Sequence, residues 1–187
     1  MSFAYAAWHP RPVESPLPTI VAIHGHGAHG QDLLGLAPYV AGGGLLWVCP
    51  QAEFPIQPGY PSYTWFHREG PEGQRTEGEL ERVATALDAF IDETVPRLGG
   101  DPGRTVILGF SQGGTLAYRL GLATPGRFAG VAALSTYLPD DVAARLPGGA
   151  LAAVPLLVQH GTGDPMIAID RARASRDLLV ALGAAPE

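Results

Sequence analysis

Lysine is absent from this chain: all twelve basic residues are arginine, set against eighteen acidic ones, for a net charge of −6. That balance argues against nucleic acid or an anionic membrane surface as partner. Cysteine is almost absent too. The single Cys49 cannot close an internal disulfide, and after Leu-Leu-Trp-Val it reads as a buried thiol at a strand end. No apolar run approaches the length of a membrane span. The first residues lack the basic-then-apolar order of a signal peptide, so a cytoplasmic setting is expected. Charged residues make up only 16% and apolar residues 46%, which excludes a disordered chain and fits a single folded domain over residues 1–187. There is neither an internal repeat nor a linker.

What is present alternates. An edge strand is expected near Phe3–Trp8, then a buried strand Thr19–His24 running into the polar loop Gly25–His26–Gly27–Ala28–His29–Gly30. A helix is expected over Asp32–Val40, closed by Gly42–Gly43–Gly44. Leu45–Cys49 is another buried strand. Residues 50–75 carry Pro, Gly and the aromatics Phe54, Tyr60, Tyr63, Trp65 and Phe66, and are too long for an ordinary connection, which suggests a functional loop or lid. Thr76 and Glu79 have capping-box spacing. Leu80, Val83, Leu87, Ile91 and Val95 then recur at helical spacing up to Gly99–Gly100. Buried strands follow at Thr105–Leu108, Gly130–Ser135 and Pro155–Gln159, and a last helix at Ala168–Leu182. Strands alternating with helices predict a mostly parallel α/β sheet covered on both faces, whose working residues lie at the carboxyl ends of the strands.

The stretch Gly109–Phe110–Ser111–Gln112–Gly113 lies where a buried strand meets an apolar helix. The five-residue pattern alone is weak in a chain with 25 glycines; the strand–turn–helix setting makes it specific. A serine on so tight a turn has strained backbone angles, and flanking glycines avoid the clashes side chains would make. Ser111 is therefore the candidate nucleophile. The Gln112 N–H, at a helix N-terminus, is placed to donate to a developing oxyanion. Asp164, in the loop His160–Gly161–Thr162–Gly163–Asp164, is the candidate acid; a plain Gly-Asp-Pro turn is the competing reading. Asp140 and Asp141 read as solvated turn or cap residues.

These segments resemble the phospholipase/carboxylesterase family of α/β-hydrolases, which includes acyl-protein thioesterases. Gly109–Gly114 resembles its nucleophile turn, His24–Gly25–His26–Gly27 its oxyanion loop and Trp65–Phe66 the pair in its long loop. Leu134–Pro139 resembles its post-strand segment and His160–Pro165 its acid loop. The similarity runs in order from about Thr19 to the end of the chain. The resemblance implies an α/β-hydrolase fold and ester hydrolysis through an acyl-enzyme, with no metal or organic cofactor. It implies Ser111 as nucleophile, Asp164 as triad acid, and the backbone N–H groups of His26 and Gln112 as oxyanion hole. Trp65, Phe66, Tyr137, Met166 and Ile167 are candidate walls of an apolar acyl or alcohol pocket, with ordinary core as the competing reading for each. The partner is a small-molecule ester; thioesters and lysophospholipids fit the same site, and a homodimer is left open.

One element departs from the pattern. In this fold the triad order is Ser, Asp, His, and a helix, a strand and their loops put the His roughly 30 residues past the acid. Only 23 residues follow Asp164 (187 minus 164) and none is His. The expectation is a C-terminally incomplete domain, missing its last strand and general base and turning over slowly by itself. His24 and His160 read as structural, His9 and His29 as surface residues, and His67 as the remaining substitute base. Two other readings compete. His24–x–His26–x–Ala28–His29 resembles the H-x-H-x-D-H of zinc hydrolases, although Ala28 replaces the aspartate and Ser111 is left unexplained. A non-catalytic binding protein on the same scaffold would also account for the missing base.

Overall fold

In the computed structural model the described residues are 3–11, 16–69, 74–75 and 78–187. Six strands form the main sheet: β1 (Tyr5–Trp8), β2 (Leu17–Ile23), β3 (Leu46–Pro50), β4 (Gly100–Phe110), β5 (Gly130–Leu134) and β6 (Leu156–Gln159). Their order across the sheet is β1-β3-β2-β4-β5-β6. β1 runs antiparallel to β3 and the remaining neighbours are parallel. The central strands are apolar on both faces, as parallel strands covered on both sides must be.

Alternation along the strands divides the core in two. Val21, Ile23, Leu46, Val48, Ile107 and Val131 face the larger cluster. There they meet the apolar stripe of α1 (Glu79–Arg97), the buried side of α2 (Gln112–Ala123) and Leu179 of α4 (Ile169–Ala181). Ile20, Ala22, Trp47 and Cys49 face the other way, into a smaller cluster with Ala37. Burial there pushes the Cys49 thiol up to about 12, so it stays protonated and inert. A one-turn helix α3 (Asp140–Ala143) carries Asp140 and Asp141 in its first turn.

The helix expected over Asp32–Val40 does not form. The chain makes a 3₁₀ turn at Leu33–Leu36 and a second turn at Ala41–Gly43. Pro38 lacks the N–H an α-helix needs and restricts the residue before it, and Gly35 weakens the turn preceding it. Of the expected capping box, Thr76 lies outside the described residues. α1 starts at Glu79 behind Gly78, and the Glu79 carboxylate instead accepts from the His67 backbone N–H at 2.7 Å.

Residues 50–75 are built rather than open where they are described. Phe54–Pro55 pairs with Tyr63–Thr64, and Tyr63 also bridges to Ala28 in the loop after β2. Trp65 and Phe66 follow, both fully buried in the larger cluster. At the far edge, Glu187 lies along β6: its N–H donates to Leu156 O and its carbonyl accepts from Val158 N–H, both at 2.9 Å.

Candidate active site

The carboxyl ends of β2, β4, β5 and β6 lie along one edge of the sheet, and each runs into a loop that carries a residue of interest. Ser111 sits between β4 and α2 with φ 52° and ψ −114°, a conformation that costs a non-glycine residue on the order of 1–3 kcal/mol. Three surroundings hold it there. Its N–H donates to Leu134 O at 2.9 Å, and its carbonyl accepts from Gly114 N–H at 2.9 Å. Gly25 lies alongside, where a Cβ would sit 3.3 Å from Ser111 Cβ.

The neighbouring glycines are needed for close approach. A Cβ at Gly113 would lie 2.0 Å from Ile23 O, one at Gly109 2.1 Å from Gly113 O, and one at Gly114 2.5 Å from Thr136 Cγ2. α2 thus rests directly on the end of β2, which brings the segment after β2, from Gly25 on, beside the serine. Gln112 is the first residue of α2, so its N–H has no carbonyl one turn earlier in the helix.

The side chain of Gln112 does something that motif spacing did not suggest. It is buried and grips the long loop. Oε1 accepts from Trp65 N–H at 2.9 Å, while Nε2 donates to Phe66 O at 2.8 Å and Thr64 Oγ1 at 2.9 Å. Trp65 Nε1–H in turn donates to His24 O at 2.8 Å. Gln112→Leu is therefore expected to destabilise the fold by about 2 kcal/mol, because it orphans the buried Trp65 N–H and removes the amide's bonds to Phe66 O and Thr64 Oγ1. Denaturant unfolding measures it.

Asp164 is held at the carboxyl end of β6. Its Oδ1 accepts from Met166 N–H at 2.8 Å and Ile167 N–H at 3.0 Å, and its Oδ2 lies 3.6 Å from His160 Nε2. The N–H of Ile167, then that of Met166, hold the carboxyl below its ordinary range, with a small added pull from His160. A carboxyl lowered this way stabilises the fold above its ordinary range and loses that contribution as pH falls through the lowered value. Asp164→Asn should accordingly flatten the pH dependence of unfolding at the acid end, as read from thermal melts between neutral and acid pH.

The candidate pocket residues are placed unequally. Trp65 and Phe66 are core: the Trp65 ring packs on His24 (centroids 5.0 Å apart) and Phe3, and no part of either residue reaches solvent. Bulky rings beside a tight turn served to wedge the loop against α2 and β2, the competing reading for both. Met166, in the loop after β6, is 88% exposed. Ile167 is half-buried, and its carbonyl accepts from His160 Nε2 at 2.8 Å. Tyr137 is half-buried with the Arg171 guanidinium 3.7 Å over its ring.

Four of the histidines are engaged elsewhere. His24 donates from Nδ1 to Gly25 O (2.8 Å) and accepts at Nε2 from Ala52 N–H (3.1 Å), and burial pushes its imidazole down, keeping it neutral. His29 pairs with Asp32 at 3.0 Å. His67 bonds Glu79 at 3.0 Å and packs on Phe54, so it serves the start of α1. His160 is committed to Ile167 O. The zinc reading fails on this geometry. Neither nitrogen of His24 has a lone pair to give, His29 turns to Asp32, and His26 Nδ1 faces Thr64 Oγ1 at 3.0 Å. Among the described residues no three His, Cys, Asp or Glu side chains converge on a metal position. No helix among them is long and apolar enough to cross a membrane.

Sequence reasoning passed over Thr64 and Ser135. Ser135 follows β5 with φ 46° and stands next to Ser111 across the Phe110–Leu134 register, so two serines with left-handed backbone lie side by side. Its place directly after a buried strand is a local signal. Thr64 has none, because its partner Gln112 is 48 residues away.

Known proteins are similar to this chain in sequence and fold. The family described as phospholipase/carboxylesterase matches residues 11–185. Acyl-protein thioesterase 1 of Cryptococcus neoformans var. neoformans is 27% identical over 184 residues, covering 90% of this chain and 75% of that protein. Acyl-protein thioesterase 1 of Mycosarcoma maydis is 30% identical over 190 residues, covering 91% and 78% respectively. Among solved structures, that of esterase PE8 superposes with a TM-score of 0.81 at 25% identity, covering 100% of this chain and 87% of that one.

Proposed function

The chain belongs to the phospholipase/carboxylesterase family of α/β-hydrolases and is a serine hydrolase of carboxylic esters, and from that premise we propose that Ser111 is its nucleophile. The observation that carries the assignment is the strained turn: a non-glycine residue at φ 52° persists only where the surroundings enforce it, and such strain gathers at functional sites. In this reading Ser111 Oγ attacks the ester carbonyl and passes its proton to a general base, and the Asp164 carboxylate, held by the Met166 and Ile167 N–H groups, is the acid of the site. The backbone N–H groups of His26 and Gln112 receive the oxyanion. The alcohol departs with that proton, and water then releases the acid from Ser111. The half-buried Tyr137 and Ile167 border the apolar part of the substrate.

The test is pre-steady-state. Rapid mixing of the protein, expressed at its natural length, with 4-nitrophenyl butyrate should give a burst of nitrophenol equal to the enzyme present. The trapped intermediate should carry a butyryl group on the Ser111 peptide. A linear time course with no acyl adduct would refute the acyl-enzyme. A thioester substrate is the second reading, supported by the two thioesterase relatives; kcat/KM on matched ester and thioester butyrates separates them.

A further inference from the structure

Beside the serine, three side chains from different parts of the chain meet at one hydroxyl. Thr64 Oγ1 lies 2.8 Å from Phe66 O, 2.9 Å from Gln112 Nε2 and 3.0 Å from His26 Nδ1. Gln112 Oε1 also approaches it, at 3.1 Å. A hydroxyl has one proton and two lone pairs. Phe66 O can only accept and makes the shortest contact, so it takes the proton. Gln112 Nε2–H and His26 Nδ1–H then donate into the two lone pairs. Gln112 Oε1 already accepts from Trp65 N–H and needs nothing from Thr64. The assignment fixes the His26 tautomer, with hydrogen on Nδ1.

We propose that Thr64 and the imidazole of His26 are positioning residues, which together with the Gln112 side chain set the distance between the two backbone donors of the oxyanion hole. This rests on the reading of Ser111 given above. One donor, at His26, lies between two glycines on a loop whose backbone is tied to the residue before Thr64, Gly27 N–H donating to Tyr63 O at 2.9 Å. The other, at Gln112, is fixed at the start of α2. Thr64 is bonded to both residues, and it is buried, where such bonds are at their strongest. Oxyanion donors act only when they are already in place as charge develops, so loosening one slows the chemical step and leaves ground-state binding alone.

The experiment is a double-mutant cycle in the protein expressed at its natural length, on 4-nitrophenyl butyrate. The variants are Thr64→Val, His26→Leu, the double variant and Thr64→Ser. Each of the first two should lower kcat about 10- to 100-fold with KM within about twofold. The double should be no slower than the worse single, because both cut the same link. Thr64→Ser restores the hydroxyl and should return kcat to within about threefold of the parent. Nitrogen-15 NMR should show His26 as the Nδ1–H tautomer in the parent and a tautomer mixture in Thr64→Val, a readout that does not depend on activity or on overall stability. Multiplying losses in the double, or a kcat unchanged in Thr64→Val, would overturn the proposal. Activity surviving in Ser111→Ala would instead overturn the assignment of the nucleophile. A kcat loss in Thr64→Val that Thr64→Ser does not rescue would show that Thr64 acts by packing alone, and that also refutes it.

Discussion

Ser111→Ala lowers kcat for ester hydrolysis by roughly 10⁴- to 10⁶-fold, the range found when a serine nucleophile is deleted from an intact triad. The loss is that large because the covalent route disappears entirely. What remains is whatever the oxyanion donors and substrate binding contribute to direct attack by water. The variant should fold: alanine at φ 52° suffers the same backbone strain as serine, and every bond to the Ser111 backbone is kept. Ser111→Gly makes the complementary point. It removes the hydroxyl and also relieves the strain, so it should be as inactive as the alanine variant yet more stable, by about 1 kcal/mol. Steady-state turnover and denaturant unfolding on the two variants read both effects. A serine whose removal costs activity while its replacement by glycine adds stability is held in place for chemistry.

Gly113→Ala is expected to cost about 3 kcal/mol or more. A methyl group there would lie 2.0 Å from Ile23 O, 2.6 Å from Ile23 C and 2.7 Å from His24 O. All three atoms are backbone, so no side-chain rotation opens room; α2 has to lift off the end of β2. Lifting it separates the Gln112 end of the site from the His26 loop, so activity should fall with stability. Gly148→Ala is the control. Nothing lies within 4 Å of a Cβ at that position, so its melting temperature should stay within a few degrees of the parent. Equal melting temperatures for the two variants would show that the tight α2–β2 contact is not needed.

The sheet was readable because its central strands are continuous apolar runs set between glycines and polar turns. Val21, Ile107 and Val131 sit in such runs and all face the larger core. The Ser111 turn was readable for the same reason: its strand, glycines and helix are contiguous. The segment Asp32–Val40 misled because its leucines have helical spacing, while Pro38 and Gly35 decide the backbone. Trp65 and Phe66 could not be placed from composition. An aromatic pair in a long loop serves equally to line a pocket or to plug a core, and the deciding bonds come from Gln112, more than 40 residues later. Met166 shows the same limit in reverse, an apolar residue that the acid loop turns outward because Asp164 takes its N–H. Local patterns carry elements and turns; long-range polar bonds settle which face of a loop meets the site.

The most direct measurement is peptide mapping by mass spectrometry after incubating the naturally produced protein with a fluorophosphonate. An activated serine forms a stable adduct with this reagent and an ordinary serine does not. A single adduct, on the peptide that contains Ser111 and absent from Ser111→Ala, is the predicted result. An unmodified Ser111 in protein that hydrolyses esters, or an adduct on a different residue, would contradict the assignment of Ser111 as the nucleophile.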